Sequence, residues 1–529
     1  MRTALLLTAL LGTAIVGTAC ARAPITTVPT GPPAAADRMA AANRLVRQGC
    51  LDCLLEAYRE YDALRVGGNG SAEATTAAVR TAALIALRER ELGLVDSGYL
   101  TRARQLASGM SPAPTSLVEL LDIADALPFG SPAARPPAVQ ERRMLLQVSS
   151  DWLTAPEPPS GLAAHQELFG YVWLALACDV ASAGSIRPDN ARAGLGAMRE
   201  QPLLIFKFAT ACDRRNPAAL GDLLAEDPRF AEVSYYQGLA ALAGQGRPDL
   251  AGRPDLDEAD SRLRAAYAWR RDWPALTVML GNIAMTSEDF AGALDLYQQT
   301  LELVPDQPDA LLGVVRAYTS LDRHAEAMAA ADTLIAAGRY PGDARYWRAL
   351  NAVHLSRFDD AWSDIELATT LLVNADVPKL AGIIAINRQQ VDVARRRLEE
   401  ATSRRPSDCE VGFYLQIALS EQRAWNEAAD TASRAGACFD QDEAQLRKEI
   451  ADLRATDTVA ARRDRLIASR ELRISTNERM RAVCWFNAAA AHFNVGARDQ
   501  ARTHAEKVLE DERFGERARE LVSRLESSR

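Results

Sequence analysis

The strongest constraint on this chain is a pattern that returns about every 34 residues between Pro274 and Cys438. A small residue lets two packed helices approach closely, and a bulky residue near the turn covers the junction between them. The interval therefore predicts a series of similar helical hairpins. The small residue is Ala259, Ala293, Ala327, Ala361, Ala394, Ala428 and, further on, Ala501. The usually bulky residue three places earlier is Leu256, Phe290, His324, Phe358, Val391, Trp425 and Arg498.

The composition agrees with an all-helical chain. Hydrophobic residues make up 48% and aromatic residues 6% of the 529 residues, which suits helices packed through small side chains. A solenoid grows by stacking repeats, so the length of the chain alone does not indicate the number of domains. The net charge of −9 lacks the basic excess that binding to a phosphate backbone requires. We therefore expect no nucleic acid partner.

The clearest repeat is GNIAMTSEDFAGALDLYQQTLELVPDQ, from Gly281 to Gln307. Together with Leu280 it supplies a Leu-Gly pair, a later alanine (Ala293), an aromatic residue four places on (Tyr297) and a closing proline (Pro305). These residues resemble the tetratricopeptide repeat family, strongly over residues 275–440 and weakly over most of the rest. The resemblance implies an all-α fold, an α-solenoid of tetratricopeptide-like helix hairpins.

Changes in composition and periodicity predict six segments. Residues 37–230 lose the tight period, so they are either divergent repeats or a separate helical domain. The six segments are 1–19, a signal peptide; 20–36, a Pro/Ala-rich tether; 37–230, divergent helical repeats; 231–440, the repeat array; 441–480, a charged helical insertion; and 481–529, a C-terminal repeat with a capping helix.

The N-terminus carries one early positive charge followed by an uncharged apolar run too short for a membrane span, which is typical of a secretory signal. Cleavage before Cys20 would be followed by lipidation of that cysteine, whereas cleavage after Ala21 would release a plain chain. The segment resembles a bacterial lipoprotein signal, although that family prefers Leu where this chain has Gly17. We expect a periplasm-facing outer-membrane lipoprotein in the bacterial cell envelope, with a lipid at Cys20 as its membrane contact.

The charged segment between Asp440 and Arg481 interrupts the array. Its apolar residues recur at helical spacing and predict a long or broken pair of helices that projects from the solenoid. A coiled-coil site for a partner is one interpretation. Too few clean heptads are present to favour it over a solvated helical hairpin.

Eight cysteines in an exported chain suggest disulfides. Cys409 and Cys438 are the first candidate pair, since one opens the first helix of a repeat and the other is expected to close the second. Further candidates are the pair Cys178 and Cys212 and the pair Cys50 and Cys53. Cys50 and Cys53 could instead be reduced thiols or half of a metal site. Cys484 is the expected unpaired thiol.

The resemblance also implies a binding site. In tetratricopeptide proteins the first helix of each repeat lines a concave surface that binds peptides or partner proteins, and some members clamp a carboxylate with Lys and Asn. Lys379 and Asn387 are too far apart in sequence to copy that clamp. The inward-facing positions carried over by register are Asn282, Met285, Arg316, Ser320, Tyr346, His354, Lys379, Asn387, Phe413 and Glu421.

No catalytic or cofactor motif is present. The five histidines show no metal-ligand spacing, and nucleophile elbows, Walker loops and dinucleotide fingerprints are missing. We therefore expect no metal and no cofactor. The leading hypothesis is a non-enzymatic envelope scaffold or adaptor for protein or peptide partners. The alternatives are a homo-oligomer joined through residues 441–480, and a hydrolase or thiol redox enzyme at residues 99–229 or at Cys50 and Cys53.

Mass spectrometry of the mature N-terminus tests the lipid anchor. We expect a chain that begins at a lipid-modified Cys20, because small residues precede this cysteine and a proline-bearing tether follows it. A Cys20→Ser variant should lose the added mass. An unmodified chain beginning at Arg22 would contradict the prediction.

Overall fold

The computed structural model describes residues 34–67, 71–92, 94–111, 121, 221–222, 224–225, 228–242, 244, 253–456 and 459–527. These residues form α-helices joined by turns and contain no strand. Four helices precede the array: α1 Ala35–Gln48, α2 Leu51–Val66, α3 Ala72–Leu92 and α4 Tyr99–Ser108. The array itself contains α5 Val233–Leu242, α6 Leu256–Trp269, α7 Pro274–Thr286, α8 Phe290–Leu303, α9 Pro308–Ser320, α10 His324–Ala336, α11 Pro341–His354, α12 Phe358–Leu371, α13 Asp376–Asn387, α14 Val391–Arg404, α15 Cys409–Glu421 and α16 Trp425–Ala455. The chain ends with α17 Ala460–Asn494, α18 Arg498–Glu506 and α19 Gly515–Ser527.

Consecutive helices pack as antiparallel hairpins that stack along the chain. In each hairpin an odd-numbered helix from α5 to α15 is followed by an even-numbered one, and each second helix also contacts the first helix of the next hairpin. We call these the first and second helices. This regular alternation confirms the predicted all-α solenoid.

The alanine ladder lies at the contact between the two helices of each hairpin. All seven alanines are buried, with exposed fractions of 0 or 1%. The residue three places before each alanine is the first residue of a second helix in every case, from Leu256 at the start of α6 to Arg498 at the start of α18. The sequence spacing therefore marks both the helix boundary and the close contact.

Tyr297 shows how one hairpin joins the next. Its ring is fully buried, and Cβ atoms built on Gly281 and Gly313 would lie 2.6 and 2.5 Å from ring atoms. Gly281 belongs to the same hairpin as Tyr297, whereas Gly313 belongs to the following one. The two glycines let first helices close on both sides of one aromatic ring. The tyrosine hydroxyl donates to Asn282 Oδ1 at 2.7 Å.

The turn between the two helices of a hairpin has a repeated backbone conformation. One residue in each of five turns adopts positive φ, between 56 and 60°. A left-handed conformation costs little for glycine but is uncommon for other residues. The turns therefore share a backbone conformation that helix packing imposes, although these residues alone would disfavour positive φ. The residues are Glu288, Asp322, Ser356, Gln389 and Arg423.

A buried ion pair joins the N-terminal helices to the array. Arg88 on α3 donates to Glu232, just before α5, at 2.7 Å, and both side chains are fully buried. Glu232 also accepts from the backbone N–H of Leu51 at 3.0 Å. Burial raises the pKa of Glu232, and the charge of Arg88 opposes that rise. Removing either partner would leave a buried charge uncompensated.

The last two long helices extend beyond the array. α16 has 31 residues and α17 has 35, so each is more than twice the length of any helix from α5 to α15. The part of α16 from Phe439 to Ala455 and the part of α17 from Ala460 to Arg481 pack as an antiparallel pair that we call the crossing hairpin. Leu446, Ile450 and Ile474 make up its own small core, with Ile467 packed against it. Among the described residues, no helix is long and apolar enough to cross a membrane.

Substitution of Gly281 tests the tyrosine contact. Gly281→Ala should lower the free energy of unfolding by about 1 to 3 kcal/mol, the usual cost of forcing an atom into a packed core, because the new Cβ meets the Tyr297 ring. Urea unfolding followed by circular dichroism provides the measurement. Gly109→Ala is the control, since its nearest neighbouring atom lies 3.5 Å from the added Cβ. Equal stability of the two variants would contradict this account.

Candidate binding groove

The ten positions carried over by register lie on the first helices α7, α9, α11, α13 and α15. Their environments differ, because some point away from the chain and some pack against neighbouring helices. Six are exposed: Asn282, Arg316, Ser320, His354, Asn387 and Glu421. Four are half-buried: Met285, Tyr346, Lys379 and Phe413. We call the face that carries them the groove face.

Two exposed charges on the groove face lack a partner. Within the described part of the chain, neither Arg316 nor Glu421 makes a side-chain hydrogen bond or an ion pair. Most other charged side chains in the array are engaged, such as Arg348 between Asp332 and Asp364. Arg316 and Glu421 are therefore free to contact an added molecule without first losing an internal bond.

Tyr346 and Met285 have structural contacts. Tyr346 packs against the apolar cluster around Ile365 and Leu380. Burial raises the pKa of Tyr346 to about 12, with Asp376 acting in the same direction. Met285 packs against the large core of the N-terminal half of the array. Truncating either side chain would disturb packing, so a loss of binding in such a variant would be ambiguous.

Lys379 is held in a local ion-pair cluster. Its ammonium lies 3.1 Å from Asp408 and also pairs with Glu410. Burial lowers the pKa of Lys379, but the two carboxylates outweigh it, so the pKa is raised overall. The lysine stays charged, and its charge is already compensated within the chain.

His354 stacks on a second histidine at the edge of the groove face. The ring centroids of His324 and His354 are 4.2 Å apart and the planes are nearly parallel. His324 Nδ1 lies 2.9 Å from Asn351 Oδ1, which fixes that ring. Burial lowers the pKa of His354, and the neighbouring His324 adds to this effect. The pair offers a flat surface at the edge of the groove face.

The crossing hairpin covers one end of the groove face. Phe413 packs with Phe439, Met480 and the buried Cys484, so part of its side chain is covered. A cleft of about 570 Å³ separates Lys379 and the 405–410 turn from the hairpin. Residues on the hairpin side of the cleft are Phe439, Asp442, Ser469, Leu472, Arg473, Thr476 and Asn477.

The far end of the crossing hairpin contacts turns of the first two array hairpins. Arg462 pairs with Asp257 and donates to the carbonyl oxygen of Leu256 at 3.2 Å. The sequence predicts that this pair of helices projects from the solenoid. Its far end instead packs back on the array. Two further arginines contact the next turn: Arg465 donates to Ser287 O at 3.2 Å and lies 3.9 Å from Asp289, and Arg470 pairs with Glu288 at 2.8 Å.

Sequence reasoning missed these contacts. The arginine-rich composition of residues 462–481 was the available signal, but it does not say where the arginines go. The hairpin runs from α15 back to the turns at α6 and α7. It therefore spans the repeats that carry the groove face.

The structure places the sulfurs of Cys409 and Cys438 at bonding distance, with Cα atoms 5.5 Å apart. The sequence predicts that Cys438 closes its helix. This part of the prediction is wrong, because α16 continues to Ala455. Cys50 and Cys53 are also at bonding distance, with Cα atoms 5.0 Å apart and both side chains fully buried. Cys20, Cys178 and Cys212 lie outside the described residues.

Cys484 is a buried thiol, and burial raises its pKa to about 12. It is therefore a poor nucleophile. In the described part of the chain, no group of three or more His, Cys, Asp or Glu residues could hold a metal ion.

We predict that a disulfide between Cys409 and Cys438 stabilises the hairpin formed by α15 and α16. Closing a loop between residues 29 positions apart contributes about 3.5 kcal/mol in the chain-entropy model. Cys409→Ser, Cys438→Ser and the double variant should therefore lower the urea midpoint by the same amount, and peptide mass spectrometry without reductant should find the linked peptides in the parent. Free thiols at both positions in the oxidised protein would contradict the prediction.

Comparison with known proteins agrees with this architecture. Residues 284–353 match the family model described as tetratricopeptide repeat. A 230-residue stretch, 39% of this chain, is 27% identical to the cellulose synthase operon protein C of Pseudomonas fluorescens (strain SBW25), and spans 17% of that protein's length.

Solved structures similar to the chain include the following two. The Cut9-Hcn1 hetero-tetramer of APC/C is 13% identical, with 93% of this chain and 83% of that chain covered and a TM-score of 0.38. A tetratricopeptide repeat protein from Parabacteroides merdae is 16% identical, with 55% and 98% covered and a TM-score of 0.33. From the family match and the helical hairpins described above, the chain contains an array of tetratricopeptide repeats, which mediate protein–protein interactions.

Proposed function

We propose that this chain is a non-enzymatic scaffold or adaptor that binds a protein or peptide partner on the groove face. The observation that carries the proposal is the exposure of polar side chains at equivalent positions of consecutive first helices, with Arg316 unpaired among them. A rigid array can present such side chains to a partner without losing internal bonds. Binding surfaces usually depend on a few such residues.

The groove face suits a partner with both polar and aromatic contacts. Arg316 and Glu421 offer opposite charges at separate positions, and the stacked His324 and His354 offer a flat surface between them in sequence. An extended or helical segment with an acidic residue near Arg316 would satisfy this pattern. The chemistry therefore favours a peptide segment over a small apolar molecule.

The proposed place of action is the bacterial cell envelope. The support is the signal-like N-terminus, the tether and Cys20, all of which lie outside the described residues. Similarity to a cellulose synthase operon protein of a bacterium is in keeping with this placement. The periplasm and the outer membrane remain part of the proposal, which the N-terminal mass measurement tests.

The environments of the cysteines argue against a thiol redox enzyme. Cys50 and Cys53 have exposed fractions of 0%, and neither lines a described cleft. A redox-active pair needs an accessible thiolate. Residues 99–229 fall mostly outside the described part of the chain, and the adaptor proposal does not draw on them.

In the homo-oligomer alternative, residues 441–480 form a contact between copies of the chain. Arg462, Arg465 and Arg470 are engaged within their own chain, and this supports an intramolecular role for the segment. Light scattering of the full chain discriminates the two, since the adaptor is expected as a monomer.

Capture of partners from envelope extracts tests the proposed groove. Arg316→Glu reverses an exposed charge without breaking an internal ion pair, so it should reduce capture several-fold while leaving the circular dichroism spectrum unchanged. Arg396→Glu is the matched control, because Arg396 is an exposed, unpaired arginine on the second helix α14. Equal capture by both variants and the parent would overturn the assigned groove. Tyr346 is unsuitable for this test because it is half-buried.

A further inference from the structure

We infer that the crossing hairpin reversibly blocks access to the groove face. We also infer that its arginine contacts to the array hold the hairpin in the blocking position. The inference rests on the proposed function, because it assigns a regulation to the proposed site. It also makes a claim about the free protein, namely that the hairpin opens when its far end is released. That claim can be tested without any partner.

The position of the hairpin is the first argument. At its base it packs against the half-buried Phe413, and along its length it faces Lys379 across the cleft. Both residues occupy positions of the groove face. A partner extended along that face would meet the hairpin at α13 and α15. The partner would then have to stop short of these helices or displace the hairpin.

The chemistry of the far end is the second argument. Its contacts to the array are ion pairs and hydrogen bonds from Arg462, Arg465 and Arg470. The apolar cluster of the hairpin contains residues from α16 and α17 alone, so within the described residues no shared apolar core anchors this end. Arg462 is buried and pairs with a partly exposed Asp257. The pairs of Arg465 and Arg470, in contrast, are partly exposed, and such pairs are individually weak and screened by salt. Such a contact can open without unfolding either side.

The hairpin keeps its own structure when the far end is released. Arg473 pairs with Asp442 at 2.9 Å and Arg481 pairs with Asp440 at 3.1 Å, so the two helices are joined near their base. The helices also continue directly into the packed hairpins of the array. Opening is therefore expected as a swing about the base, with the helices intact.

The turns that receive the arginines are suited to this role. Glu288 is the left-handed residue of its turn, and Asp289 is the N-cap of α8. Asp257 lies in the first turn of α6. These carboxylates are held by helix ends and turn geometry whether or not the hairpin is docked, so they provide a ready surface for the returning arginines.

The test measures acylation of Lys379 in the full chain, without a partner, with the bulky reagent sulfosuccinimidyl biotin. The chain has few lysines, and the exposed Lys448 on α16 serves as the internal reference. The variant that removes the far-end arginine contacts, which we call the latch variant, carries Arg462→Ala, Arg465→Ala and Arg470→Ala. The matched control carries Arg434→Ala, Arg463→Ala and Arg479→Ala, three arginines of α16 and α17 that neither contact the turns nor line the cleft.

We expect the ratio of Lys379 to Lys448 labelling to rise roughly tenfold in the latch variant and to stay unchanged in the control, because the rate follows the population of the opened state. Circular dichroism verifies that both variants keep their helices. An equal ratio in the two variants would overturn the inference. A rise in both would also overturn it, since loss of any three arginines would then suffice.

Capture from envelope extract separates this inference from the proposed function. If both hold, the latch variant captures more partner than the parent, and adding Arg316→Glu to it removes the gain. Unchanged capture by the latch variant, with Arg316→Glu still harmful, would overturn the regulation and leave the groove in place. Capture that is insensitive to Arg316→Glu would overturn the groove, whereas the labelling result would still decide whether the hairpin opens.

Discussion

The close approach of helices around small residues is the interaction on which the rest of this structure depends. Within each hairpin a buried alanine brings the two helices together. Between hairpins, Gly281 and Gly313 accommodate the ring of Tyr297 from both sides. These contacts set the stacking of the first helices, and the stacking in turn aligns their outer side chains into one face. The alignment of side chains on that face is thus a consequence of packing on the opposite side of the same helices.

The crossing hairpin changes the meaning of that face. In an open array every first helix would offer comparable positions. Here the positions differ in what they contact: Phe413 packs at the hairpin base, Lys379 is paired within the chain, and Arg316 stays exposed and unpaired. The side chains of the groove face therefore differ in how accessible they are to a partner. Its free part lies towards α9, away from the hairpin base.

The sequence was informative where the physics is local and periodic. The residue three places before each ladder alanine begins a second helix in all seven cases, because the same turn and the same close contact recur. Contacts between distant repeats have no such signature. Arg462 and Asp257 are separated by 205 residues, and neither position stands out by spacing. The continuation of α16 past Cys438 was missed for a related reason: the cysteine falls where earlier second helices end, but nothing there stops the helix.

Return of the chain onto its own early repeats has a consequence for folding. A linear array is stabilised by neighbours alone, so its ends can fray and its units can form in any order. Joining α17 to the turns at α6 and α7 adds contacts between residues about 200 positions apart, which raises the contact order of an otherwise local fold. Those contacts form only after the intervening hairpins have stacked. The last event in folding would then be closure of a loop that includes most of the array. Unfolding of any one hairpin within that loop would weaken the contacts at both of its ends.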